Sequence, residues 1–180
     1  MPETKLTLIT GPSGSGKTTI SHKMANLGLN VVDADTLDGL SGWFNALGEQ
    51  VTFPDDACKT FLETHKFIWK RSYLEVYLRK QRGLLLLGSA RNVFEMADLF
   101  DEVIFLQVNP LVLRRRLADA SRDNPMGRTE FQRDYCILRA AEYEKLAREI
   151  RARFLDGSQS PEEIIREILK RPAIENPQCI

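Results

Sequence analysis

The chain has 180 residues, the length of one α/β domain, and its 43% apolar and 28% charged composition excludes a disordered polymer. Lys plus Arg and Asp plus Glu stand at 25 each, so no net field draws the chain to nucleic acid or to an anionic membrane surface. Cys58, Cys136 and Cys179 are far apart and form no C-x-x-C pair, which excludes a disulfide framework and a thiolate zinc site. No apolar stretch has the length of a bilayer span, and no basic-then-apolar leader precedes the first predicted strand. A cytoplasmic protein is the expectation.

In chain order, an apolar run predicts a strand over residues 5–10. Gly11-Pro12-Ser13-Gly14-Ser15-Gly16-Lys17-Thr18-Thr19 follows, and then a helix with Ile20, Met24 and Leu27 on one face, stopped by Gly28. Residues 29–32 read as a short buried strand ending in Asp33-Ala34-Asp35. The stretch 36–82 reads as mostly helical, with Leu37, Leu40, Trp43 and Phe44 at helical spacing. Gly48 and Thr52-Phe53-Pro54-Asp55 break it, and a long helix over about 56–81 is expected to carry Phe61, His65, Ile68, Tyr73 and Tyr77.

Leu84-Leu85-Leu86-Leu87 is an apolar run of the kind buried on both faces of a sheet. A fourth strand is predicted over 103–108, and a helix begins at Asn109-Pro110, where Asn caps and Pro suits the first helical position. Residues 119–128 read as a polar loop. Thr129-x-x-Gln132 is a capping-box pattern opening a helix to about 149. A brief strand over 152–155 and a helix from Ser160-Pro161 with Ile164, Ile165 and Ile168 complete the series. Alternating strands and helices predict a three-layer α/β fold around a five-stranded parallel sheet. The expected domain spans 1–171, with a helical insertion over about 36–82, a lid over about 119–129, and a flexible tail at 172–180.

The loop at 11–19 carries the most specific chemistry. It fits G-x-x-x-x-G-K-[ST] after a predicted strand and before a predicted helix, the setting in which the pattern binds phosphate. Glycines let the backbone wrap an anion, and successive N–H groups with the helix N-terminus point positive charge at it. Lys17 is placed to reach the β- and γ-phosphates and Thr18 to ligate Mg²⁺. The reading is an ATP and Mg²⁺ site formed by Gly11, Pro12, Ser13, Gly14, Ser15, Gly16, Lys17, Thr18 and Thr19.

Ligands of an open parallel sheet sit beyond the strands' carboxyl ends, which puts Asp33 and Asp35 beside the phosphates. Asp33 is read as assisting Mg²⁺ and Asp35 as accepting or orienting an acceptor hydroxyl, with a helix cap as the structural alternative for Asp35. The third strand ends in Gly88-Ser89 without a carboxylate, and no N-K-x-D or D-x-x-G element occurs, which argues against motor ATPases and switch GTPases. Gly88, Ser89 and Arg91 are read as the acceptor side, Gly88 by allowing close approach. In the lid, Arg122 and Arg128 are the candidates to close over transferring charge, with Arg116 at its base. The aromatics over 43–77 read chiefly as subdomain core, and His65 as a packed or solvated helix residue.

With these residues in hand, the chain resembles the small P-loop kinases grouped with adenylate, shikimate, gluconate and dephospho-coenzyme A kinases. Val31-Val32-Asp33-Ala34-Asp35 looks like the D-x-D after the second strand of shikimate kinases, whose carboxylates serve magnesium and the acceptor hydroxyl. Leu87-Gly88-Ser89 sits where that family has three glycines. A nearer likeness is to nucleoside-kinase-like ATP-binding proteins, through Gly88-Ser89-Ala90-Arg91-Asn92, Asp98-Leu99-Phe100-Asp101-Glu102-Val103, Arg115-Arg116-Leu117 and Asn124-Pro125-Met126-Gly127-Arg128. The resemblance implies transfer of the ATP γ-phosphoryl group to a small-molecule hydroxyl or phosphate, without nucleic-acid or membrane partners. An ATP-binding regulatory protein is the alternative.

Overall fold

The predicted first strand is β1 (Thr7–Thr10), buried at every position, and the computed structural model of the chain describes residues 5–54, 57–121 and 124–170. After it come α1 (Lys17–Asn26), β2 (Val31–Asp33), a 3-10 turn (Ala34–Thr36), β3 (Ser41–Phe44) and β4 (Gln50–Val51). Then follow α2 (Lys59–Thr64), β5 (Lys66–Trp69), α3 (Arg71–Leu78), β6 (Leu85–Leu87) and a 3-10 segment (Val93–Leu99). The chain continues with β7 (Glu102–Gln107), α4 (Pro110–Leu117), α5 (Glu130–Glu149), β8 (Arg153–Asp156) and α6 (Pro161–Leu169).

Five of these strands form a parallel sheet in the order β2-β6-β1-β7-β8. Side chains alternate across it because successive Cβ atoms leave opposite faces. Ile9, Leu87, Ile104 and Leu106 meet Ile20 and Met24 of α1 and Ile164, Ile165 and Ile168 of α6. Leu8, Leu86 and Phe105 belong to a second cluster with Leu74 and Leu78 of α3, Phe94, and Tyr143 and Ala147 of α5. The result is three layers, as the alternation of elements predicts. Every β1 neighbour is a crossover partner, so the loop after β1 emerges at the carboxyl edge of the sheet's middle.

The segment between β2 and β6 corrects the sequence reading. It is not mostly helical, and no long helix runs over 56–81. It holds a three-stranded antiparallel sheet, β4-β3-β5, flanked by the short helices α2 and α3. Trp43 stands opposite Phe67, and Gly42 opposite Ile68. The i, i+4 spacing of Phe61 and His65 is real helix, but it ends there. Lys66-Phe67-Ile68-Trp69 is aromatic and β-branched, and pairing with a distant strand overrides the local periodicity. Asn92 docks this sheet on the main one: its Oδ1 accepts from Trp69 N (2.9 Å), and its Nδ2 donates to Trp69 O (3.0 Å).

The helix signals hold. Asn109 Oδ1 accepts from Leu111 N, and Thr129–Gln132 and Ser160–Glu163 are both complete capping boxes. Among the described residues no helix is long and apolar enough to cross a membrane. The expected tail at 172–180 lies outside the described residues.

Candidate active site

The turn after β1 is shaped by what its glycines avoid. A Cβ on Gly11 would stand 2.8 Å from Leu106 O, so only a bare backbone passes there. Gly14 (φ 84°) and Gly16 (φ 95°) occupy the left-handed region, which turns successive N–H groups toward one concavity. Gly16 is also the N-cap of α1 and offers no side chain to its first amides. Those amides, at the positive end of the helix dipole, suit an anion. Lys17 Nζ donates to Gly11 O and Pro12 O at 2.9 Å and to Ser15 Oγ at 3.1 Å, holding its ammonium over the same concavity. This cradle fits a polyphosphate on its geometry alone.

Around it opens a cleft of about 1210 Å³, large for a single ligand site. Residues 12–19 line it together with Asp35, Ser89, Arg91, Arg116 and residues of β3, β5 and α5. Among the described residues no three His, Cys, Asp or Glu side chains cluster to hold a metal. A Mg²⁺ ion here would take its ligands from Thr18, water and the phosphates, the usual share-out for this ion.

The capping alternative resolves onto the other carboxylate. Asp33, buried, accepts from Asp35 N (3.1 Å) and caps the 3-10 turn, while Thr36 Oγ1 donates to Asp33 O. Asp35 is therefore not the cap. Its side chain reaches solvent through the cleft, yet protein crowds it enough to matter. Burial, then the Asp33 charge, push its carboxyl above the usual carboxylate range, and the Lys17 ammonium opposes them. Lys17 and Asp35 thus act on each other across the cleft.

Gly88 is placed differently from the expectation. A Cβ there would stand 2.5 Å from Ala34 Cβ and 2.6 Å from Trp69 Cζ2, so the close approach it permits is that of Trp69 and not of a ligand. Ser89 and Arg91 do face the cleft. Of the stretch expected to form a lid, Asp119, Ser121, Asn124, Pro125 and Met126 line it, whereas Arg128 is exposed and outside the lining. Arg122 lies outside the described residues. Arg116 approaches the phosphate loop: its Nη1 sits 4.0 Å from where a Gly16 Cβ would be, and donates to Gly157 O at 2.7 Å. Burial and neighbouring Arg115 lower its pKa, though it remains a cation.

Sequence reading missed the α5 wall. Arg139, 9% exposed, donates to Glu142 and lies over the Tyr143 ring, 4.8 Å from its centroid. Arg91 Nη1 donates to the same Glu142 carboxylate at 3.2 Å. Tyr143 donates to Ala90 O at 2.9 Å, and burial pushes its phenol up to about 12. The i, i+3, i+4 spacing of Arg139, Glu142 and Tyr143 was the available signal, since such residues share a helix face.

The family model described as an AAA domain matches residues 8–136. No curated protein matches the chain in sequence. Among solved structures, shikimate kinase from Acinetobacter baumannii in complex with shikimate superposes with a TM-score of 0.62 at 18% identity, covering 93% of this chain and 92% of its own. A gluconokinase from Sinorhizobium meliloti 1021 gives 0.55 at 19% identity, with 94% and 91% covered. Deoxyadenosine kinase from M. mycoides with bound dATP gives 0.52 at 14% identity, with 91% and 97% covered. At these identities the likeness is one of fold.

Proposed function

The chain belongs to the AAA-domain family of P-loop proteins, and on that premise we propose that it is an ATP-dependent kinase of small molecules. The observation that carries the reading is the meeting of Lys17 at the phosphate cradle with Asp35, a carboxyl of raised pKa, in one cleft. A perturbed acid facing a phosphate site is the arrangement that hydroxyl activation requires. The absence of a carboxylate after β6 and the size of the cleft support a second substrate over simple hydrolysis.

In this reading residues 11–19 hold the ATP phosphates and Lys17 bears on the γ-phosphoryl group. The acceptor hydroxyl oxygen bonds to the γ-phosphorus as its proton passes to Asp35. The bond to the β–γ bridging oxygen breaks, and ADP leaves with that electron pair. Thr18 would hold Mg²⁺ with Asp33 assisting, and the ion would supply neutralisation of phosphate charge. Asp33 also fixes the turn that aims Asp35. Arg116 steadies charge beside the loop, and Arg122 and Arg128 remain the lid cations proposed to close over it. We place the kinase domain at 1–171, with 36–82 as its acceptor-side insertion, Ser89 and Arg91 facing the acceptor, and 119–129 as its lid.

The test is ADP release by the purified chain with Mg·ATP, with and without a panel of hydroxyl and phosphate acceptors. A kinase shows acceptor-dependent release, and Lys17→Ala abolishes it while circular dichroism stays unchanged. ATP binding with no acceptor-dependent release under any condition would favour a regulatory nucleotide-binding role.

A further inference from the structure

Resting on that reading, we propose that the acceptor is a hydroxyl-bearing molecule with a planar heterocyclic ring, by chemical class a nucleoside. The ring would lie on an aromatic wall that the sequence suggested was core. Trp43 is its hub, with ring centroids 5.0 Å from Phe53, 5.4 Å from Phe61 and 5.8 Å from Phe67. His65 stacks on Phe61 at 4.1 Å and 8°. All five rings are half-buried, and Trp43, Phe53 and Phe61 belong to none of the three buried clusters that hold the fold together. Trp43, Phe53 and His65 line the cleft, and so does Phe67, which also packs against the main core cluster. Rings that stand outside the core clusters and line a cleft, as Trp43 and Phe53 do, suit a π-faced ligand, because stacking rewards flat unsaturated surfaces.

The α5 wall supplies the second half of the recognition. Arg139 is nine-tenths buried and lines the cleft, and its hydrogen bond is made to Glu142. A guanidinium carries five N–H donors in a fixed fork, so the bond to Glu142 leaves donor capacity for a ligand in the cleft. Glu142 takes bonds from Arg139 and Arg91 and keeps acceptor capacity of its own. Donors and an acceptor side by side on a rigid helix read the edge of a heterocycle, where ring nitrogens, carbonyls and amino groups alternate. A polyol or an open-chain hydroxy acid has no flat face for the aromatic wall and no amino edge for Glu142. With the ring so held, a sugar hydroxyl is the group left to meet Asp35.

The experiment uses the full chain with its phosphate loop filled by a non-hydrolysable ATP analogue, so that the base cannot enter the nucleotide site. Adenosine, guanosine, cytidine and uridine are titrated against tryptophan fluorescence, beside gluconate and glycerol. The chain has 2 tryptophans, and Trp69 is buried against Gly88, so a ligand on the wall changes the Trp43 signal alone. We expect at least one nucleoside to quench that emission, the response to vanish in Trp43→Phe, and calorimetry of Trp43→Leu to give about tenfold weaker binding. Glu142→Gln is expected to change the preference between amino- and keto-bearing bases about tenfold at an unchanged KM for ATP.

Failure of every nucleoside to bind overturns the inference. So does acceptor-dependent ADP release with gluconate or glycerol and none with nucleosides, an outcome that leaves the kinase reading standing. Nucleoside binding without ADP release sinks the kinase reading and upholds the ring site.

Discussion

Asp35 has two costs to its charged form, burial and the nearby Asp33, and one ally in Lys17. Both the chemistry and the stability of the chain inherit that imbalance. A base must be ionised to accept a proton, so the acid limb of kcat/KM falls above the ordinary aspartate value of about 3.9. Asp35→Asn should remove most of kcat with little change in ATP affinity, which separate kinetic and binding titrations would report. A carboxyl whose folded pKa is raised favours folding below its unfolded pKa, and that advantage is lost as pH climbs through the folded value. Asp35→Asn should therefore raise Tm relative to the parent at pH 7 and not at pH 3. A Tm that falls equally at both would show Asp35 serving as a structural prop.

At the scale of elements, the ends of helices were legible and the insertion was not. Asn109, Thr129 with Gln132, and Ser160 with Glu163 cap where their sequence patterns put them, because a cap is made within four residues. The parallel strands were legible for a similar reason, as apolar runs bounded by turns. The strand β5 was not, since its partner Ser41–Phe44 lies more than twenty residues away and pairing, not spacing, makes it extended. Gly88 illustrates the same limit. Sequence shows that a side chain is missing there but not what occupies the space, which is the Trp69 ring. Gly88→Ala should destabilise the chain by about 1–3 kcal/mol through overpacking, measured by urea denaturation. A neutral Gly88→Ala would mean the small sheet shifts freely on the large one, against the two Asn92 bonds that fasten it.

For the molecule as a whole, the phosphate loop was legible in the sequence, while the rest of the cleft around it had to await the fold. Residues from 12 to 164 line the same opening, so no local pattern encloses it. Linkage turns this into a measurement. A ligand that binds only the folded chain at 100 times its Kd stabilises by about 2.7 kcal/mol. Mg·ATP should raise Tm accordingly, and Lys17→Ala should lose most of the rise. No shift with either nucleotide triphosphate of adenine or guanine at millimolar concentration would remove the phosphate site.

Gln132 has consequences beyond its capping box. Fully buried, its Oε1 accepts from Gly127 N (3.1 Å), and its Nε2 donates to Ala57 O just before α2 (3.2 Å). One amide thus works as a linkage rod between two jaws, the stretch ending at Gly127 and the stretch before α2. Gln132→Ala strands a donor on one jaw and an acceptor on the other, at about 1–3 kcal/mol for each buried group left unpaired. Hydrogen exchange should then report faster opening on both sides at once, so that the jaws would come loose as a pair.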